Sequence, residues 1–343
     1  MMMHTQTDVP PHAAMIQTIN GKCVSRCVSL VADLAIADLL TDGPKDVVTI
    51  ANATGTNPDA LYRVLRMLAG VGIFVELPNK RFQNSLLSDT LRSDSTASVR
   101  SYARWLGREL HWRIWTDLEF SVRTGKPSLL KNHADKAPFE RLAENPDDQE
   151  AFNQAMAGLS AADGAAILQA YEFSKFNRII DAGGGHGTLA TLIAREAPQA
   201  GVTVFDLPHV IEGTRNWLSA EGLSQRIGLK GGSFFHSVPG PADLCVLKHI
   251  LHDWDDESAR RILGNCRDAL SDNGRVLVCE MLVAAGPEGV PALVLDIEML
   301  VAAGGRERTQ EEFSELFAAA GLRLERTVRT HSQITLLEAV PIK

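Results

Sequence analysis

The apolar residues near the N-terminus repeat with the period of an α-helix. Between residues 13 and 40 they recur every three to four positions: Ile16, Ile19, Val24, Cys27, Val28, Val31, Leu34, Ala35 and Leu39. We therefore predict one long helix over residues 13–40. A helix that is apolar on most of its surface must be covered on most sides. A second copy of the chain is one way to supply that cover.

A second helix and a hairpin follow within the first hundred residues. Asn57-Pro58 has the form of a helix start with proline in the first turn. The apolar residues after it again have helical spacing: Leu61, Val64, Leu65 and Leu68. Two short apolar runs then flank Asn79-Lys80 and predict a small β-hairpin. This order is the winged-helix arrangement, which we place at residues 13–100, after a flexible tail at residues 1–12.

The winged-helix module has two interpretations. As part of a ligand-sensing regulator it would bind DNA through Arg63 and Arg66 on the second helix. As a dimerisation platform it would instead pair two copies of the chain. The formal net charge of −8 opposes a nucleic-acid partner, and the second helix has no basic residue besides these two. We therefore favour a homodimer formed through this domain.

Strands begin to alternate with helices from about residue 176. A helical region at residues 101–174 comes first, and a domain at residues 175–343 follows it. Short apolar runs separated by helical segments predict a parallel, doubly wound α/β sheet, with strands at residues 178–181, 202–205, 244–247 and 276–279. The last two strands, at residues 322–328 and 333–340, have only four residues between them. They should form an antiparallel hairpin at the sheet's edge.

Composition narrows the class of protein. The chain has 343 residues, of which 45% are hydrophobic and 22% charged, as in ordinary globular proteins. The sequence contains no run of about 18 apolar residues, so we expect no membrane span. The polar N-terminal segment lacks the basic and apolar regions of a signal peptide. The five cysteines form no C-x-x-C pair. A reduced cytoplasmic protein is the simplest expectation.

A glycine-rich loop follows the first predicted strand of the C-terminal domain. Glycines at 183, 185 and 187 would let the backbone turn sharply and approach a ligand closely. Asp206 ends the next strand, about 20 residues on, where an acid can accept hydrogen bonds from ribose hydroxyls. Loop and acid together indicate a nucleoside cofactor. They do not separate NAD from S-adenosylmethionine.

The most informative segment follows the strand at residues 244–247. It contains Lys248, His249, His252 and Asp253. Ligands of open α/β sheets bind beyond the carboxyl ends of the strands, so we expect His252 near a strand end and beside the ligand. An imidazole with a pKa of about 6.5 can accept a proton at neutral pH. No cluster of His, Asp or Glu has convincing metal-ligand spacing, and we expect no metal.

Three separated strings resemble the plant caffeate and hydroxyindole O-methyltransferase family. They are Phe205-Asp206-Leu207-Pro208-His209-Val210-Ile211, the segment from Lys248 through His252-Asp253-Trp254, and Gly304-Gly305-Arg306-Glu307-Arg308-Thr309. The resemblance covers nearly the whole chain. It implies a Rossmann-like methyltransferase domain behind a dimerisation domain. It also implies S-adenosylmethionine as cofactor and a small aromatic acceptor, as in bacterial relatives that modify natural products.

The resemblance places the general base on His252. It places the two acids that orient the imidazole on Glu280, just past the predicted strand at residues 276–279, and on Glu307. A phenol is a poor nucleophile until its proton leaves. A site for methyl transfer to a phenol must therefore remove that proton and hold the two reactants aligned. His249 is a second imidazole nearby, and its role stays open.

The resemblance also assigns binding residues. The cofactor positions are Gly183, Gly185, Asp206, Leu207, Ser233, Phe234, Lys248 and Ser160. The substrate positions are Met156, Trp112, Met299 and Asp253, the first three of which are suited to a flat ring. Relatives have an acidic residue where this chain has Ser233, so a charged contact at the adenine side is lost. C- or N-methylation on the same fold is the alternative reaction, because a fold does not dictate the acceptor.

Overall fold

The computed structural model describes residues 9–96, 98–133, 136, 138–220 and 222–342. The chain divides into two units. The N-terminal unit comprises Met1–Trp112 and Asp147–Leu159, and the C-terminal unit comprises Arg113–Pro146 and Ser160–Lys343. The predicted helical region at residues 101–174 is thus shared between them. Most of the predicted flexible tail lies outside the described residues, although its last two positions belong to a helix that begins at Pro11.

The N-terminal unit consists of short helices around a three-stranded sheet. Its helices are α1 Pro11–Ile19, α2 Gly21–Asp33, α3 Ile36–Leu39, α4 Val47–Thr54, α5 Pro58–Gly70, α6 Leu86–Asp89, α7 Arg100–Leu106 and α8 Glu109–Thr116, the last of which runs into the other unit. Its strands are β1 Lys45–Asp46, β2 Phe74–Leu77 and β3 Arg81–Asn84, in the order β1-β3-β2.

The predicted single helix over residues 13–40 is wrong, because three helices occupy that range. The chain interrupts the helix at Asn20 and again at Ala35, whose φ of 54° is left-handed. A left-handed residue cannot continue a right-handed helix. The apolar spacing in the sequence continues across both interruptions. The periodicity therefore could not reveal them.

The second helix and the hairpin are confirmed. The Asn57 side chain caps α5 by accepting a hydrogen bond from the Ala60 amide, and Pro58 is the first helical residue. The inward face of α5 buries Leu61, Leu65 and Leu68. Strands β2 and β3 pair antiparallel around a turn with two left-handed residues, at positions 79 and 80. The local sequence was sufficient to predict α5 and the hairpin, because helix caps and turns depend on only a few neighbouring residues.

The C-terminal unit is built on a seven-stranded sheet in the order β6-β5-β4-β7-β8-β10-β9. Its strands are β4 Arg178–Ala182, β5 Gly201–Asp206, β6 Ile227–Gly231, β7 Ala242–Lys248, β8 Leu270–Glu280, β9 Leu322–Arg329 and β10 Thr335–Pro341. The first five run parallel, and β10 pairs antiparallel with both β8 and β9. The predicted parallel sheet and its terminal antiparallel hairpin are confirmed.

Helices cover both faces of this sheet. The helices along this part of the chain are α9 Leu118–Thr124, α10 Pro138–Ala143, α11 Pro146–Ala170, α12 Thr188–Glu196, α13 Pro208–Ala220, α14 Asp256–Asp268, α15 Val290–Ala302 and α16 Gln310–Ala319, and residues 147–159 of α11 belong to the N-terminal unit. Helices α14 and α16 contribute to the core on one face, and α12 and α13 to the core on the other. Strand β6 was not predicted. It lies at the sheet's edge and buries only Ile227 fully, so its apolar signal is weak.

The strand order creates a switch point between β4 and β7. The chain proceeds outward from β4 through β5 to β6, then returns to the other side of β4 for β7 and β8. Loops that follow β4 and β7 therefore diverge and leave a crevice at the carboxyl edge, where ligands of such sheets bind. Among the described residues, no helix is long and apolar enough to cross a membrane.

Candidate active site

The loop after β4 depends on glycine at three positions. Gly183, Gly185 and Gly187 have φ angles of 75°, 55° and 79°, which side chains other than glycine rarely adopt. A β-carbon on Gly183 would also lie 2.4 Å from Cδ1 of Ile250, in the segment that follows β7. Gly185 faces open space, with nothing within 4 Å of such an atom. The loop thus allows a ligand to approach the backbone closely.

Asp206 joins this loop, as the sequence predicts. Its Oδ2 accepts a hydrogen bond from the Gly185 amide at 2.9 Å, and its Oδ1 accepts one from Leu207 at 2.7 Å. Burial raises the pKa of the Asp206 carboxyl, and the two amide hydrogen bonds oppose that rise. Each carboxylate oxygen retains a lone pair. The acid is therefore held in place by the backbone and can still accept further hydrogen bonds.

Phe234 lies beside the same loop, after the end of β6. A β-carbon on Gly183 would be 3.5 Å from its ring. The ring makes edge contacts with Phe235 and Trp254, at centroid distances of 5.0 and 6.3 Å. Ser233 precedes it and accepts the Phe235 amide on its hydroxyl at 3.3 Å. The Ser233 hydroxyl, which stands where relatives have a carboxylate, therefore stabilises this turn.

Buried charges line the crevice between β4 and β7. Lys248 ends β7, and burial lowers the pKa of its ammonium, although Asp163 and Asp181 oppose that effect. Burial raises the pKa of Asp181 to about 7, and its Oδ2 has no hydrogen-bond partner among the described residues. Ser160 lies on α11, one turn before Asp163. Sequence reasoning missed both aspartates as site residues, because burial is not visible in the sequence.

His252 is not at the strand end itself. Strand β7 stops at Lys248, and His249 then turns the chain with a left-handed φ of 52°. His252 follows in a single 3₁₀ turn, Leu251–Asp253, and only 6% of its surface is exposed. His252 therefore lies four residues past the last residue of β7, near the strand end as expected. A non-glycine residue in this conformation is strained, and such strain concentrates at functional sites.

Two buried carboxylates face the His252 ring. Its Nδ1 lies 2.6 Å from Oε1 of Glu307 and 3.5 Å from Oε2 of Glu280. The other oxygen of Glu280 accepts the amides of Ile250 and Leu251, both at 3.0 Å. Glu280 is the last residue of β8 rather than just past it, which corrects the prediction. One acid thus orients the imidazole, and the other holds the backbone that carries it.

The acids around His252 determine whether its imidazole is protonated. Burial lowers the pKa of His252, but Glu280, Asp253 and Glu307 outweigh it and raise the pKa to about 10. Burial raises the pKa of Glu307 in spite of its contact with His252. The opposite holds for Glu280, where the charge of His252 overcomes burial and lowers the pKa. The cluster therefore favours the imidazolium form of His252 over the neutral one.

His249 adds a second imidazole to the cluster. Its ring stacks on His252 at a centroid distance of 5.0 Å, and it lies 3.5 Å from both Asp163 and Glu280. The resemblance had placed His252, Glu280 and Glu307 together and left the role of His249 open. Among the described residues, His249, His252 and Glu280 bring ligand atoms within 4.8 Å of one another, as a metal ion requires.

The cluster does not fit a zinc ion well. Catalytic zinc sites use three protein ligands. Here Nδ1 of His252 is held by Glu307, and Nδ1 of His249 lies 3.5 Å from Oε2 of Glu280, so the candidate ligand atoms already face one another. The arrangement is better suited to orienting an imidazole than to binding a metal.

The predicted substrate residues lie in both units. Met299, 8% exposed on α15, and Asp253, in the 3₁₀ turn, belong to the C-terminal unit. Asp253 lies 3.7 Å from Nε2 of His252, and burial raises its pKa to about 6. Trp112 and Met156 belong to the N-terminal unit. That these four line one substrate pocket stays a prediction.

Two family models match the chain. The O-methyltransferase domain matches residues 115–323, and the O-methyltransferase dimerisation domain matches residues 16–94. The chain belongs to the O-methyltransferase family. The resemblance seen in the sequence is therefore confirmed, as is the predicted pairing of a Rossmann-like domain with an N-terminal dimerisation domain.

Similar proteins cover almost all of this O-methyltransferase. The phenazine O-methyltransferase of Lysobacter antibioticus is 38% identical over 97% of each chain. The mitomycin biosynthesis 6-O-methyltransferase of Streptomyces lavendulae is 35% identical over 92% of this chain and 91% of its own. The crystal structure of human N-acetylserotonin methyltransferase in complex with S-adenosylmethionine has a TM-score of 0.89 and is 26% identical, covering 99% of this chain and 100% of that one.

Proposed function

We propose that this O-methyltransferase transfers a methyl group from S-adenosylmethionine to a phenolic hydroxyl of an aromatic small molecule, with His252 as the general base. The observation that carries the proposal is the 2.6 Å contact between Nδ1 of His252 and Glu307. A carboxylate at Nδ1 keeps the proton on that nitrogen and leaves Nε2 free to accept one. The same roles orient a catalytic histidine in other enzymes.

The proton affinity of His252 suits a phenol. A phenolic hydroxyl has a pKa of about 10, and the neighbouring acids raise the pKa of His252 to about 10 as well. A proton can then move from the acceptor to Nε2 without a large energetic penalty. The positive charge that forms on the ring lies between Glu280 and Glu307, and both carboxylates stabilise it.

The residues around the crevice fit S-adenosylmethionine. Gly183 and Gly185 would allow the cofactor to approach the loop, and Asp206 and Leu207 would meet its ribose. When bound, the cofactor supplies a methyl group on a positively charged sulfur. The amino-acid end would lie near Lys248 and Ser160. Phe234 would stack on the adenine, beside Ser233.

The acceptor and the assembly follow from the same family. We infer an apolar, ring-shaped substrate that contacts Met299, with Asp253 near its hydroxyl. By their names, one of the two bacterial relatives is a phenazine O-methyltransferase and the other a 6-O-methyltransferase of mitomycin biosynthesis. We assign this enzyme to natural-product biosynthesis, acting as a homodimer through the N-terminal domain.

Replacement of the base tests the reaction. We expect His252→Gln to lower kcat by about 10²- to 10⁴-fold, the usual contribution of a general base. The affinity for S-adenosylhomocysteine, measured by calorimetry, should stay within about twofold, since the substitution leaves the glycine loop intact. The assay would screen phenols with methyl-labelled cofactor and use mass spectrometry to locate the methyl group on oxygen, nitrogen or carbon.

A matched control is available in the same chain. His331 is exposed, in the link between β9 and β10, so His331→Gln should retain full turnover. Unchanged turnover in His252→Gln would remove His252 as the base. A methyl group found on nitrogen or carbon would replace O-methylation by the alternative reaction.

A further inference from the structure

Arg308 is a buried cation directly behind the proposed base. Only 1% of its surface is exposed, and it is among the largest fully buried side chains of the described residues. Removing a guanidinium from water costs several kcal/mol unless hydrogen bonds and an opposite charge compensate it. The position of those compensating groups therefore shows what the side chain holds together.

The guanidinium donates to both sides of the His252 turn. Nη1 donates to the carbonyl of Leu251 at 2.9 Å, and Nη2 donates to the carbonyl of Trp254 at 2.8 Å. These two carbonyls flank His252 and Asp253. The opposite charge comes from Asp256, whose Oδ1 accepts from Nε at 3.0 Å and from Nη2 at 2.8 Å.

The chain segment that carries Arg308 holds the turn in two further ways. The Arg306 amide donates to the carbonyl of His252 at 2.8 Å, and Glu307 contacts the imidazole. Gly305 approaches so closely that a β-carbon there would lie 2.0 Å from the same carbonyl. One segment, residues 305–308, therefore contacts the ring of the base and the backbone on both sides of it.

We propose that Arg308 is a positioning residue that locks the 3₁₀ turn so that Nδ1 of His252 meets Glu307 and Nε2 faces the methyl acceptor. The proposal rests on the proposed function of His252. A planar guanidinium offers five donors in a rigid fork, whereas a lysine ammonium is a point charge on a flexible stem. Lysine could satisfy one of the two carbonyls without bridging them. A displacement of about 1 Å can reduce a rate by about 10²-fold.

The test compares Arg308 with an exposed arginine elsewhere in the chain. Arg308→Lys should lower kcat by about 10- to 100-fold and leave the KM for S-adenosylmethionine within about twofold. It should also move the acid limb of the kcat/KM profile to lower pH by about one unit, because a displaced imidazole loses part of its contact with Glu307. Arg323→Lys is the control. The Arg323 side chain on β9 is 63% exposed and pairs with Glu325, so neither quantity should change.

A second variant guards against a folding defect in Arg308→Lys. Asp256 is 65% exposed at the start of α14, and Asp256→Asn keeps an oxygen that can accept from the guanidinium while it weakens the ion pair, so this variant should retain the fold. We expect a smaller shift of the acid limb in the same direction. A purely structural role predicts a lower melting temperature with an unchanged pH profile in both variants, and that result would overturn the proposal.

The outcomes also separate this proposal from the proposed function. If His252→Gln is inactive and Arg308→Lys behaves like Arg323→Lys, only the positioning role of Arg308 fails. If His252→Gln retains full turnover, the assignment of the base fails, and the role of Arg308 fails with it.

Discussion

Glu307→Gln isolates the charge of the acid closest to the proposed base. Glutamine has nearly the same shape as glutamate, and its carbonyl can still accept the Nδ1 proton of His252 across the observed 2.6 Å. The Glu307 amide, which donates to Asp296 at 2.8 Å, is unaffected. The substitution therefore removes one negative charge and keeps the orientation of the ring.

The size of the expected effect follows from the pKa of His252. Its rise from 6.5 to about 10 corresponds to about 5 kcal/mol in favour of the imidazolium. Glu280 and Asp253 also contribute to that rise and remain in the variant. Loss of one adjacent opposite charge lowers a pKa by about one to three units. We expect the acid limb of kcat/KM to move from near pH 10 to about pH 8.

The sign follows from which form of His252 is active. A base works only when deprotonated, so at pH 7 only about one site in a thousand is ready when the pKa is about 10. Lowering the pKa makes more sites ready at neutral pH. The remaining neutral imidazole is a weaker base, so the alkaline plateau should fall. At pH 7 these two effects oppose each other, and the position of the limb is the clearer measurement.

The assay is the pH dependence of kcat/KM between pH 6 and 10.5 at constant ionic strength. Glu311→Gln supplies the control, because Glu311 is exposed in the first turn of α16 and its charge is screened by solvent. The control should reproduce the wild-type limb. Coincident limbs in wild type and Glu307→Gln would refute the electrostatic coupling between Glu307 and His252.

Two further predictions address the cofactor site and the fold. Asp206→Ala leaves the Gly185 and Leu207 amides unpaired, so the affinity for S-adenosylhomocysteine in calorimetry should fall by about 10- to 100-fold; equal affinity would exclude Asp206 from the site. Tyr171→Phe removes a buried hydrogen bond to Glu338 on β10, so the free energy of unfolding in urea should fall by about 1–2 kcal/mol, with unchanged turnover. No loss of stability would show that this hydrogen bond contributes nothing net.

The errors in prediction share one physical origin. Apolar periodicity located the helices of residues 13–40 and failed at their interruptions, because a single left-handed residue such as Ala35 leaves the spacing almost unchanged. The path of the chain between β7 and His252 was not predicted for the same reason. His249 also turns the chain with a left-handed φ, and nothing in its residue type requires that conformation.

The sequence by itself determined the features that depend on neighbouring residues. The glycines at 183, 185 and 187 indicated a sharp turn, Asn57-Pro58 indicated a helix start, and alternating runs indicated a parallel sheet. These signals are local, because backbone freedom, capping and periodicity act over a few positions. The short strings around His252 and Glu307 were enough for the family resemblance as well.

Only the tertiary structure decided how the site is assembled. His252 and Glu307 are 55 positions apart, and they meet because β7 and β8 are neighbours and because the segment after α15 returns to the turn after β7. The role of Arg308 could not be inferred from its neighbours, since the carbonyls that it holds belong to Leu251 and Trp254. Burial then raises the pKa of each acid, and neighbouring positive charges lower it. These effects depend on distance in space, which the order of residues does not contain.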